Sequence, residues 1–140
     1  MTQKTFDHFI DIGPRVVKNG YCKVKLKVKK KHLNNGGIVH GGVLASLCDV
    51  ALAGAVFSVM KEDQWCVTIQ LNVEFLDPAF LNETIYGYGK VVRRGRTLAF
   101  VEGGVVGKSK KQITRAHGIW YIKSGPSKKI KLKKAVKRMD

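Results

Sequence analysis

One carboxylate, Asp49, interrupts an otherwise uncharged apolar stretch from Gly42 to Met60, and the pair Gly41-Gly42 opens that stretch. Ionised side chains are almost never buried without a partner, because desolvating one costs several kcal/mol. A lone acid in a core segment therefore needs a reason, and such acids cluster at functional sites. The glycine pair offers complementary chemistry. A helix N-terminus presents N–H groups without intrahelical acceptors at the positive end of its dipole, so it can hold an oxyanion. Gly41 has no side chain, which lets a substrate carbonyl come close to the backbone. An N–H aimed at a tetrahedral intermediate is worth about 2.7–4 kcal/mol in known oxyanion holes. The bland alternatives are a tight turn for the glycines and, for Asp49, a carboxylate satisfied by a hydroxyl or backbone group.

Other candidates carry less chemistry. His40 reads as a residue that fixes the loop. Asn34 supports the same loop as an ordinary turn asparagine, or reaches the reacting group. Cys48 as a nucleophile lacks an evident basic partner and reads as a small buried thiol. Arg93, Arg94 and Arg96 flank Gly95 in a turn. Their guanidinium forks suit phosphate groups, and a solvated turn is the alternative.

The elements around these residues follow from periodicity. Thr5 to Ile12 predicts a short helix ended by Gly13-Pro14. From Tyr21 to Lys29, Cys22, Val24, Leu26 and Val28 alternate with Lys23, Lys25, Lys27 and Lys29, a half-buried strand whose lysines keep it soluble and guard an edge. The Gly42–Met60 run approaches the length of a membrane span. Asp49 at its centre would cost roughly 2.5–3.5 kcal/mol on insertion, so a core helix is the better reading. Trp65 to Phe75 alternates again, with Val67, Ile69, Leu71, Val73 and Phe75 on one face and Thr68, Gln70, Asn72 and Glu74 on the other. Thr84 to Arg93 and Thr97 to Val106 form a hairpin, and Ile113 to Ile122 a last strand. Glycines 87, 89, 103 and 104 predict bulges or strong curvature. Short turns between strands mean antiparallel pairing. The expected class is α+β: one long helix wrapped by a curved antiparallel sheet of about five strands.

The 140 residues suit one domain, expected over 1–124, followed by a basic tail over 125–140 with a weak helix bearing Leu132, Val136 and Met139. The net charge of +16 favours polyanions without choosing among nucleic acid, anionic lipid and phosphorylated small molecules. Cys22, Cys48 and Cys66 are odd in number and lack Cys-x-x-Cys spacing, which argues against zinc and a disulfide framework. A reducing cytoplasm fits, and the polar start carries no signal peptide.

Asn34-x-x-Gly37-x-x-His40-Gly41-Gly42 followed by Asp49 resembles the signature of the hotdog-fold acyl-CoA thioesterases, in the phenylacetate-degradation branch. Val67-Thr68-Ile69-Gln70-Leu71-Asn72, Asp77-Pro78-Ala79 and Val92-Arg93-Arg94-Gly95-Arg96-Thr97 match as well, so the resemblance spans roughly residues 5 to 122. It implies a hotdog fold, a homodimer or dimer of dimers, hydrolysis of a CoA thioester, and neither metal nor cofactor. It further implies that the Gly41 N–H binds the thioester carbonyl and that Asp49 is the nucleophile or general base. Thr68 would hold that carboxylate or orient a water, though its alternation with apolar neighbours leaves its face open. Gly42 and His40 would lie against the substrate, and Arg93, Arg94 and Arg96 against CoA phosphates. The His-plus-acid motif of the hotdog dehydratases is not present. A rival from another class is a non-catalytic acyl-CoA-binding or regulatory protein whose basic tail touches nucleic acid or a membrane surface. Retention of Asp49 favours the enzyme.

Overall fold

The computed structural model describes residues 4–125 and the backbone of 136–138. In chain order the elements are α1 (Phe6–Phe9), β1 (Arg15–Lys18), β2 (Tyr21–Lys27), α2 (Gly41–Phe57), β3 (Gln64–Phe75), β4 (Thr84–Arg94), β5 (Leu98–Val106), β6 (Gln112–Ser124) and β7 (Val136–Arg138). One seven-stranded sheet runs in the order β3-β6-β5-β4-β2-β1-β7. All its neighbours are antiparallel except β7, which lies parallel to β1. A single long helix against a curved antiparallel sheet is the hotdog architecture.

The strand count exceeds the expected five. β1 has only four residues, too few to show alternation. Its turn nevertheless follows known chemistry: Asn19 (φ 37°) and Gly20 (φ 85°) are both left-handed, as a two-residue hairpin turn requires. β7 pairs Arg15 with Val136 and Val17 with Arg138, a strand where a helix was expected. Leu132 and Met139, also assigned to that helix, lie outside the described residues. The N-terminal helix is shorter than expected, capped by the Thr5 hydroxyl accepting from the His8 N–H at 3.4 Å.

α2 is apolar because it is covered. Leu47, Cys48, Ala51, Leu52, Ala55 and Val56 are all fully buried against the concave side of the sheet. Gly87 and Gly89 make this contact possible. A Cβ on Gly89 would stand 2.7 Å from the Ala51 carbonyl oxygen and 2.8 Å from Leu52 Cα. These glycines are thus a bare floor for the helix. The register shifts lie elsewhere, at Thr68/Gln70, Val91/Arg93 and Val105/Val106. Gly89→Ala must push helix backbone, not a flexible side-chain tip, so it is expected to cost about 1–3 kcal/mol. Urea unfolding at unchanged slope measures this, and a loss below about 0.5 kcal/mol, the range of ordinary surface changes, would refute the close approach.

The shift in β3 decides which residues face the helix. Cys66 and Thr68 stand opposite Ile122 and Trp120, both buried and turned towards α2. Beyond the shift Leu71, Val73 and Phe75 stand opposite Gly118, Ala116 and Thr114, on that same inner face. Ile69 between them has no partner on β6 and is 56% exposed. One extra residue inverts the alternation. The single apolar face expected from Val67 to Phe75 is therefore split, and Thr68 is turned inward.

Candidate active site

Asp49 lies midway along α2, half-buried, and its Oδ1 accepts a hydrogen bond from Thr68 Oγ1 at 2.8 Å. No described lysine or arginine lies within ion-pair distance of this carboxylate. Both residues line a cavity of about 290 Å³. Val50, Gly54 and Phe57 continue its floor along α2, while Cys66 and Trp120 come from the sheet. The bulge at Ile69 is what delivers the hydroxyl to the acid.

The start of α2 is built by a braced loop. Gly37 takes a left-handed φ of 83°, closing a turn in which the Gly37 N–H donates to the Asn34 carbonyl at 3.1 Å. Asn34 Oδ1 accepts from the Gly36 N–H at 2.8 Å, so its side chain locks this turn. His32, fully buried, anchors the loop from beneath. Its Nδ1 accepts from the Lys29 N–H at 2.8 Å, which leaves Nε2 to donate to the Ile10 carbonyl at 2.7 Å. Its own carbonyl accepts from the His40 N–H at 2.8 Å. His32 is absent from the sequence expectations, since a histidine following three lysines gives no sign of burial.

His40 is the N-cap of α2, with Nδ1 accepting from the Gly42 N–H at 2.8 Å. Its carbonyl accepts from the Val43 N–H at 2.9 Å and the Leu44 N–H at 3.2 Å. The Gly41 N–H donates to no described residue. The first-turn donor that remains for a ligand is thus the one singled out by the sequence. Phe75 covers this end, its ring 3.4 Å from where a Cβ on Gly41 would stand. Asn34 and His40 line a second depression, of about 510 Å³, that shares no residue with the Asp49 cavity.

The structure therefore gathers the candidates into two groups. Asp49 meets Thr68; Asn34 and His40 meet at the helix start with Gly41 and Gly42. The groups do not meet within one chain, because Gly41 and Asp49 are eight residues apart, about 12 Å of helix at ~1.5 Å per residue.

The three arginines divide. Arg94 clasps the end of α2, donating to the Val59 carbonyl at 3.2 Å, to Gln64 Oε1 at 2.8 Å and to the Gly95 carbonyl at 2.7 Å. Arg93 and Arg96 are exposed. Cys48 sits 3.2 Å from Thr114 Oγ1, and burial pushes its thiol up to about 11, with the Thr114 contact opposing. A thiol at neutral pH is a poor nucleophile. The residue most clearly missed is Arg15, which enters the Asp49 cavity from β1.

A family model described as the thioesterase superfamily matches residues 36–114. A protein of Saccharolobus solfataricus named as an esterase is 33% identical over 116 residues, covering 81% of this chain and 80% of its own. Acyl-coenzyme A thioesterase 13 of Homo sapiens is 31% identical over 85 residues, 61% of this chain and 60% of its own. Among solved structures, a hypothetical thioesterase of Streptococcus pneumoniae, crystallised with coenzyme A, aligns with a TM-score of 0.72 at 25% identity, covering 79% of this chain and 84% of its own. Across the curated relatives matched by sequence the chain spans from 54% to 80% of the relative's length.

Proposed function

The chain belongs to the thioesterase superfamily, and from that premise we propose that it hydrolyses an acyl-CoA thioester to the free acid and CoA. Thioester hydrolysis comes with the family. The acyl-CoA substrate is supported by the coenzyme A bound to the pneumococcal relative and by the activity that the human relative's name carries. In this reading Gly41 N–H polarises the thioester carbonyl, and Asp49 attacks it or activates the attacking water. Thr68 holds the carboxylate by donating to one oxygen, leaving the other for the reaction. Asn34 and His40 shape the entry, and the exposed Arg93 and Arg96 reach CoA phosphates. Three buried free thiols accord with a reducing, cytoplasmic setting.

The observation that carries the proposal is the 2.8 Å Thr68–Asp49 hydrogen bond at a cavity, with no cation pairing the acid among the described residues. A binding-only protein has no use for a carboxylate kept in that state, which speaks against the regulatory alternative. Because one carbonyl cannot touch two groups ~12 Å apart, the reading includes a site shared between two copies. β3 is the free edge of the sheet, with Val67 43% and Ile69 56% exposed, so an edge-to-edge homodimer would cover apolar surface next to Thr68. The test is a hydrolysis screen over aryl-, short- and long-chain acyl-CoAs. At least one should give kcat/KM above about 10⁴ M⁻¹s⁻¹, the lower end of ordinary enzymes. Rates indistinguishable from buffer across the whole panel would sink the reading.

A further inference from the structure

The cavity beside Asp49 holds a cation that hydrolysis itself does not require. The Arg15 side chain is only 14% exposed. Its Nε donates to the Val50 carbonyl at 3.4 Å, one residue beyond Asp49. Its Cδ lies 3.2 Å from where a Cβ on Gly54 would stand, so the side chain runs along α2 over the turn that follows Asp49. Nη2 donates to Asp7 Oδ2 at 3.3 Å. No described residue accepts from Nη1.

The charges decide what Nη1 can take. One cation, Arg15, stands against two carboxylates: Asp49, which lines the cavity with it, and Asp7, which lies outside the lining and pairs with Nη2. A carboxylate on the acyl group would add a third anion to a site that already carries an excess of negative charge. A neutral oxygen needs only a hydrogen bond from Nη1, and the Asp7 pair stays intact. We propose that Arg15 is a specificity-determining residue that selects acyl-CoA substrates bearing a neutral acceptor oxygen, as a keto or hydroxyl group, on the carbon about four bonds beyond the thioester carbon. This rests on the acyl-CoA thioesterase reading above. The reach follows from geometry: one helical turn of about 5.4 Å separates Asp49 from the level of Ala53, and four C–C bonds of ~1.5 Å in an extended zigzag span about 5 Å. The 290 Å³ cavity lies at the small end of ligand pockets, which restricts the acyl group to a short one.

The test compares three CoA esters that differ only at that position: 5-oxohexanoyl-CoA, its apolar isostere 5-methylhexanoyl-CoA, and glutaryl-CoA, with a carboxylate there. Wild type should favour the oxo ester over the methyl isostere by about tenfold or more in kcat/KM, because the isostere would cover Nη1 on binding without giving it an acceptor. Arg15→Met should bring that ratio close to one. A merely structural role would lower both rates together and leave the ratio unmoved. Asp7→Asn, a half-exposed change that keeps Arg15 in place, carries the test should the Arg15 variant fold poorly. It removes one of the two anions and should raise glutaryl-CoA about tenfold relative to the oxo ester. Equal rates for the oxo and methyl esters in wild type, glutaryl-CoA as the best wild-type substrate, or no response of glutaryl-CoA to Asp7→Asn would each overturn the proposal while leaving thioester hydrolysis intact. Failure of wild type to cleave any acyl-CoA would instead remove the reading on which it rests.

Discussion

Asp49→Asn is expected to lower kcat on the best thioester by about 10²–10⁴-fold, the range typical of removing a positioned acid–base group. The substitution keeps the shape of the side chain and removes its charge. An amide oxygen at Oδ1 still accepts from Thr68 Oγ1, now 2.8 Å away, so packing and the sheet register have no reason to change. The loss in stability should therefore stay near 1 kcal/mol, the net worth of one hydrogen bond, and be visible as a small shift in Tm. Measured together, kcat and Tm separate the roles. A folded variant with collapsed turnover places the charge in the chemistry. A folded variant that hydrolyses at close to the wild-type rate makes Asp49 structural and ends the mechanism proposed for it.

The parts of this fold that repeat a period were legible. The strands β2 to β6 emerge within a few residues of their expected bounds because each buries one face of a regular element, and α2 emerges as an uncharged apolar run of helix length. β1 was not, since Arg15-Val16-Val17-Lys18 has no room for a pattern, although Asn19-Gly20 marked the turn. β7 pairs with a strand more than a hundred residues away, and no local signal encodes such a partner. The candidate site divides in the same way. Asp49, Gly41 and the loop from Asn34 to His40 are visible because their chemistry is improbable in a merely structural segment. The facing of Thr68 was not visible: it depends on one unpaired residue, Ile69, whose extra step cannot be told from ordinary alternation. Arg15 escaped for a related reason. Its place beside α2 exists only once β1 has paired with β2 in the sheet.

Two inactive variants should restore activity when mixed. Thr68 lies beside Asp49 and Phe75 beside Gly41, so β3 runs against α2 and spans both halves of the proposed site. If two copies pair their free β3 edges antiparallel about a two-fold axis near Leu71 and Asn72, Thr68 of one faces Phe75 of the other. Gly41 of each protomer then approaches Asp49 of its partner. Asp49→Asn removes the carboxylate. Gly41→Pro removes the N–H at the first helical position, where proline is tolerated. His40 before it already has ψ 134°, which a following proline demands, and the exposed Phe75 ring has room to give way. Each variant alone should be inactive, because every site in its homodimer lacks one group. In a mixed dimer one site is damaged twice and the other combines an intact Gly41 with an intact Asp49. Random reassortment makes half the dimers mixed, and half of their sites native, so about a quarter of wild-type activity should return after co-refolding. Native mass spectrometry establishes whether mixed dimers form. If they form and the mixture stays as inactive as its components, Gly41 and Asp49 do not serve one substrate across the two-fold.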